Sequence, residues 1–368
     1  MGPPVDQACT GVGTGSVPAS GRGLRPGAET VAAAPRSPLG WGGMKAITQK
    51  DLNDPTSLVL EDVADPVPDA GEILVKVHTA GVNRGDLLQA RGHYPPPPGA
   101  SEIIGMECSG TVVANDTGKG PAVGSEVGCL LAGGGYAELV AVPVGQTAPL
   151  PAGLSLAETG SIMEVTCTAW SNLGMAAGLR PGTAEGKKVL VHGGSGGVGS
   201  FAVQLLHTLG CEVAVTAGSA EKLEYCRELG ASKLINYREQ DFAEELKGWA
   251  DVILDIMGAK YLKGNIRTLA PDGQLVIIGM QGGTKAEINL APLLPKRLTV
   301  RGTTLRARPV EGKAEIVADV VENVWPLIAD GSITHRVHET FPLAEAARAH
   351  AALDSGEVTG KLALRVES

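Results

Sequence analysis

The chain has 368 residues, a formal charge of −9, 43% hydrophobic residues and only 3% aromatic ones. That length allows two domains and a large core, and the composition argues against disorder. The acidic balance disfavours a dedicated nucleic-acid binder. The cysteines at 9, 108, 129, 167, 211 and 226 form no C-x-x-C pair, so neither a zinc lobe nor a redox dithiol is expected. No apolar run reaches the ~18 residues of a membrane-spanning helix, so a soluble, cytoplasmic protein is expected.

Residues 1–43 are rich in Gly, Pro and Ala and lack any apolar period, as expected for a disordered extension. From Met44 to about Val165 the pattern is β-rich. Strands are predicted at Met44–Thr48, Leu58–Asp62, Ile73–His78, Ser109–Ala114, Glu126–Leu131 and Ala137–Pro143, punctuated by Gly and Pro.

After Glu185 the rhythm changes. A strand ending at His192 runs into Gly193–Gly199, and a helix follows with Val198, Ala202, Leu205, Leu206 and Leu209 on one face. Further strands are predicted at Glu212–Thr216, Leu234–Ile235, Val252–Ile256, Gln274–Ile278 and Leu298–Thr303. Strands alternating with helices imply an α/β, doubly wound parallel sheet. The helix Leu343–Leu353 and strand Lys361–Val366 break that alternation and should return to the first domain. The division expected is 44–165 with 305–368 for one domain, and 166–304 for the other.

Gly194-x-Gly196-x-x-Gly199 follows a predicted strand and opens a helix, the context a dinucleotide fingerprint requires. Gly194, Ser195, Gly196, Gly197, Val198 and Gly199 would bring backbone N–H groups and a helix N-terminus to a pyrophosphate. An NAD-binding fold places an acid roughly 20 residues later, on the ribose 2′-OH. Here the second strand ends Thr216-Ala217-Gly218-Ser219 with no carboxylate, and Lys222 follows one turn on. Gly218, Ser219 and Lys222 therefore suit a 2′-phosphate, with Tyr237 completing the adenosine pocket. NADPH is the expected cofactor.

Several motifs now stand in order: Pro66-x-Pro68-x-x-Gly71-Glu72, Gly81-Val82-Asn83-Arg84-Gly85-Asp86, Gly92-x-Tyr94-x-Pro96-Pro97-Pro98-Gly99, Gly105-x-Glu107-x-Ser109-Gly110, the glycine loop and Asn236-Tyr237. With these the chain resembles the zinc-independent quinone oxidoreductases of the medium-chain dehydrogenase/reductase superfamily, most of all the p53-inducible type. The resemblance implies a GroES-like β-rich catalytic domain beside a Rossmann domain. It also implies a homodimer, for which the apolar strand Leu298–Thr303 at an open sheet edge would serve. Zinc-dependent relatives carry Cys where this chain has Asn83 and His where it has Met106, and these are poor zinc ligands, so no metal is expected.

Without a Lewis acid, an acceptor that delocalises the incoming charge is favoured, so a small quinone-like molecule is the expected substrate. Asn83 and Tyr94 are the candidate catalytic residues. Asn83 would hydrogen-bond the acceptor oxygen, and Tyr94 would orient the ring or donate a proton. Asn83 as a helix cap is the competing structural role. Gly279, Met280 and Gln281 match the family's nicotinamide loop, and Thr304 and Leu305 should line the cleft. Arg84 and Asp86 could form a structural ion pair. Two other functions fit the same residues: an NADPH-dependent enoyl or enone reductase, and a cofactor- or RNA-binding protein with vestigial turnover.

Overall fold

The computed structural model describes residues 42–51 and 54–366, so the expected extension lies outside it except for Gly42 and Gly43. The first strands, β1 (Met44–Gln49) and β2 (Leu58–Val63), form an antiparallel ribbon. Then come β3 (Glu72–Val82), β4 (Glu107–Ala114), β5 (Glu126–Leu130), β6 (Leu139–Pro143) and β7 (Thr147–Pro149). β3 runs beyond the expected His78 because Ala80, Gly81 and Val82 are all buried. Gly81 is required there: a Cβ at that position would lie 2.2 Å from Glu107 Oε1, so the missing side chain makes room for a buried carboxylate.

Six strands then build a wholly parallel sheet: β8 (Lys188–His192), β9 (Glu212–Ala217), β10 (Lys233–Asn236), β11 (Ala250–Asp255), β12 (Leu269–Ile277) and β13 (Thr299–Gly302). Their order is β10-β9-β8-β11-β12-β13, the doubly wound arrangement with its switch point between β8 and β11. Central strands such as β8 read as unbroken apolar runs because helices cover both faces. The edge strand β13 is largely exposed.

The chain ends with β14 (Val337–Pro342) and β15 (Lys361–Arg365), which extend the first sheet to β14-β15-β3-β4-β5-β7, with β6 also paired to β3. β14 was not expected, since its sequence Val-His-Glu-Thr-Phe-Pro is mostly polar and exposed. The fold is thus GroES-like and Rossmann-like, mixed α/β. Helix Met163–Trp170 continues straight into a π-helix, Ser171–Ala176, so the chain leaves the first lobe within continuous helix. Within that π-helix Asn172 accepts a 2.6 Å hydrogen bond from the Thr303 hydroxyl, tying it to the end of β13.

Candidate active site

Each glycine of the loop after β8 has its own steric reason. A Cβ on Gly199 would meet the Gly193 carbonyl oxygen at 2.1 Å, and one on Gly194 would meet Val215 at 2.8 Å. These two let the helix Gly197–Thr208 sit close on the strand. Gly196 differs, because its nearest neighbour would be 3.6 Å away. Its missing side chain keeps open space at the helix N-terminus, the cradle a pyrophosphate needs. Ser195 is buried, Val198 packs on the core, and a Cβ on Gly197 would lie 2.7 Å from the Lys361 side chain. The loop is pinned from the other lobe by the Gly360 N–H, which donates to the Ser195 carbonyl at 3.0 Å.

Gly218 and Ser219 close β9. Ser219 is the N-cap of the helix Ala220–Glu228, its hydroxyl accepting from the Lys222 N–H at 3.3 Å. Gly218 lets the Tyr237 ring lie close over the strand end, since a Cβ there would lie 2.5 Å from the Tyr237 hydroxyl and displace it. Tyr237 is exposed, as a residue that stacks on a ligand can be. Beside it stands Arg238, also exposed, whose Nε lies 3.4 Å from the same point. Sequence reasoning missed Arg238, though its place directly after Tyr237 was a usable signal.

Lys222 needs a correction. It was expected as an uncommitted cation, but its Nζ donates to the Gly356 carbonyl and sits 3.8 Å from the Glu357 carboxylate. A phosphate would have to compete with both.

Across the cleft, Asn83 is buried and belongs to a polar cluster. Its Nδ2 donates to Glu107 Oε1 at 2.8 Å, and its Oδ1 accepts from Lys361 Nζ at 2.6 Å. Lys361 and Glu107 form a 2.9 Å ion pair whose side chains are 5% and 0% exposed. The network fixes the amide's orientation and leaves Nδ2 its second N–H. Asn83 also caps the helix Arg84–Ala90, and its N–H donates to Asp86 Oδ2 at 2.7 Å.

The expected Arg84–Asp86 pair does not form. Arg84 pairs with Asp354 at 2.8 Å, while Asp86 is fully buried and pushed up to about 7, mainly by burial. Asp86 Oδ2 accepts from Tyr136, and its Oδ1 has no partner among the described residues.

Tyr94 stands next to this cluster, its ring within 3.3 Å of where a Gly85 side chain would begin. Its hydroxyl lies 3.1 Å from the Thr304 hydroxyl. The buried Arg306 stacks over the ring at 5.1 Å and donates to the Tyr94 carbonyl at 2.9 Å. The return segment therefore does meet the mouth of the first lobe, with Leu305 packed on the core below.

Gly279, Met280 and Gln281 follow β12 and fold over the end of β11. A Cβ on Gly279 would lie 3.0 Å from the Ile256 carbonyl, to which the Gln281 N–H donates at 3.1 Å, and Met280 is left exposed. His192 at the end of β8 is a packing residue. It lies between Thr216 and Asn265 and is held down at about 4 by burial.

Residues 69–152 match the family described as alcohol dehydrogenase GroES-like domain, and residues 197–323 match the family described as zinc-binding dehydrogenase. Rat quinone oxidoreductase is 30% identical over 320 residues, which cover 83% of this chain and 93% of that protein. The structure of Escherichia coli quinone oxidoreductase complexed with NADPH aligns with a TM-score of 0.75 at 27% identity, covering 88% of this chain and 99% of that one. Phthioceranic/hydroxyphthioceranic acid synthase of Mycobacterium tuberculosis is 31% identical over 309 residues, 81% of this chain. This chain spans only 14% of that synthase's length. The chain belongs to the medium-chain dehydrogenase/reductase superfamily, in its quinone oxidoreductase-like branch.

Proposed function

We propose that the chain reduces quinones and similar conjugated carbonyls with NADPH and without zinc. The observation that carries this reading is the corner at the end of β9. Ser219, Lys222, Tyr237 and Arg238 gather there with no carboxylate on the strand tip, which suits a ribose 2′-phosphate and disfavours a bare 2′-hydroxyl. The E. coli relative's complex with NADPH agrees with it.

The open space at Gly196 and the helix N-terminus behind it would take the pyrophosphate. Gly279, Met280, Gln281, Thr304 and Leu305 would flank the nicotinamide. When bound, the reduced nicotinamide supplies the hydride. The chain's part is to hold the acceptor: Asn83, fixed by Glu107 and Lys361, offers its remaining N–H, and Tyr94 and Thr304 offer hydroxyls at the mouth.

Zinc is disfavoured on donor chemistry. Asn83 and Met106 stand where zinc-dependent relatives carry ligands, and the Asn83 amide is bonded to Lys361, a cation that would repel a metal ion. The detailed motif match around Tyr94 supports the p53-inducible type. A homodimer through β13 is favoured by the exposed Leu290, Leu294 and Val300 next to that edge, and a cytoplasmic location by the family. Among the described residues no helix is long and apolar enough to cross a membrane.

The similarity to a segment of a polyketide synthase favours a second reading, in which the acceptor is an α,β-unsaturated ketone or thioester. A steady-state screen of NADPH and NADH against 9,10-phenanthrenequinone, 1,4-benzoquinone and enones tests both. Turnover of quinones above enones is expected, and enone turnover alone would select the second reading.

A further inference from the structure

Three charged groups, Lys361, Glu107 and Glu164, meet in the cluster, and Glu164 is the one with no hydrogen-bonded partner of opposite charge. Lys361 spends its three protons on the Val82 carbonyl at 2.8 Å, on Asn83 Oδ1 at 2.6 Å and on Glu107 at 2.9 Å. Glu107 in turn uses Oε1 for Asn83 and Lys361, and Oε2 for the Glu164 backbone N–H at 2.9 Å. The cluster's one cation is therefore committed to Glu107. The Glu164 carboxyl receives only the Thr168 hydroxyl, at 2.7 Å on Oε1.

Its Oε2 has no hydrogen bond to any described residue, yet it is not sealed from solvent, and the residue is half-buried. The carboxyl thus opens onto space on that side. The next residue, Val165, lies 3.4 Å from where a Gly197 side chain would begin, and the Lys361 side chain lies 2.7 Å from the same point, so this turn of the helix and the cluster's cation both stand beside the glycine loop. The charged groups that face it are Glu107 from β4 and Lys361 from β15, with the buried Cys167 thiol and Thr168 on its own helix. Burial raises its carboxyl above the usual range and the Glu107 charge adds to this, while Lys361 and Thr168 pull the other way.

We propose that Glu164 rests as a neutral carboxylic acid and gives up the proton that completes reduction of the acceptor. The inference rests on the reductase reading above. One hydride brings two electrons to a quinone and leaves a hydroquinone monoanion. The O–H bond of Glu164 breaks, its proton passes to the acceptor oxygen, and the carboxylate left behind keeps the Thr168 hydroxyl. Solvent reprotonates it through the open side of Oε2. Tyr94 then orients the acceptor and need not be the acid.

Glu164→Gln removes the proton and keeps the shape. In the infrared difference spectrum at pH 7, wild type minus variant, a carboxylic-acid carbonyl band is expected. NADPH binding, read by fluorescence, should change less than about twofold. Turnover of 9,10-phenanthrenequinone should fall at least about tenfold with a changed solvent deuterium isotope effect, and Glu164→Asp should restore part of it. No acid band, or unchanged turnover, overturns the proposal.

If Glu164→Gln fails to fold, Thr168→Val serves instead. Losing the hydroxyl that favours the carboxylate should move the disappearance of the acid band to higher pH, and no movement counts against the proposal. If the wild type reduces no quinone or enone, the reductase reading falls, while the infrared band still decides whether Glu164 is an acid.

Discussion

The two sides of the cleft are built in opposite ways. On the side of the parallel sheet, the proposed cofactor recognition rests on backbone: glycines at 194, 196, 199 and 218, an N-cap serine and helix N-termini, all contributed by short runs of neighbouring residues. On the other side it rests on buried side chains gathered from four distant segments, Asn83, Glu107, Glu164 and Lys361. A backbone site is tolerant of its surroundings and intolerant of a single Cβ. A buried ionic cluster tolerates shape changes but not the loss of one charge.

The largest expected effect follows from that contrast. Lys361→Met leaves the Glu107 carboxylate buried without its cation and should cost about 3–5 kcal/mol in chemical denaturation. Adding Glu107→Gln should recover a good part of the loss. If Lys361→Met alone costs nothing, the cluster is not an energetic unit.

Asp86, next to the cluster, sharpens the comparison through pH. Its folded-state value of about 7 lies above the ordinary aspartate value of 3.8, so between the two the folded protein holds a proton that the unfolded chain has released. Its contribution is fully present below about pH 4 and is lost as pH rises towards 7 and beyond. Asp86→Asn keeps an acceptor for the Asn83 N–H and the Tyr136 hydroxyl. It should flatten the falling limb of stability and raise the melting temperature at pH 8, by the equivalent of a few kcal/mol. A wild-type limb that does not fall between pH 4 and 7 would contradict this.

On the backbone side, Gly199→Ala drives a Cβ into the Gly193 carbonyl and should cost about 1–3 kcal/mol, with loss of NADPH binding by calorimetry. Lys222→Ala should reduce the preference for NADPH over NADH in kcat/KM by about tenfold, mostly through KM. Glu357→Gln, which removes the competing carboxylate, should move that preference slightly the other way. Equal effects of Lys222→Ala on both cofactors would remove the phosphate from that corner. The smallest stability change is expected for Gly196→Ala. Its Cβ meets nothing closer than 3.6 Å, so the melting temperature should hold while NADPH affinity drops.

The same contrast decides what could be read from the sequence. The glycine loop, the strand tip at Gly218-Ser219 and the strands with alternating or continuous apolar character were legible because each signal lies within a few residues. Glu107 and Glu164 carried no local sign of burial, and Lys361 reads in isolation as a solvated lysine opening a strand. Their meaning comes from β3, β4 and β15 pairing across almost the whole length of the chain. Asn83 was legible as a polar residue near the cleft, but its partners were not. The neighbours of Lys222 could not be read, because Gly356 and Glu357 follow it by more than a hundred residues.

Those neighbours give the corner a mechanical side. The run Gly356–Lys361 is fastened at three points: by Lys222 at its start, by the Ser195 carbonyl through Gly360, and by Glu107 and Asn83 through Lys361. Lys222 is thus an anchor for the run that leads into the final strand as well as the proposed phosphate ligand. For anyone redesigning the protein towards NADH, replacing this lysine would also remove one of the three fastenings of the run that leads to Lys361. The order of work is therefore fixed: a new tether for residue 356 has to come first, and the change of cofactor second.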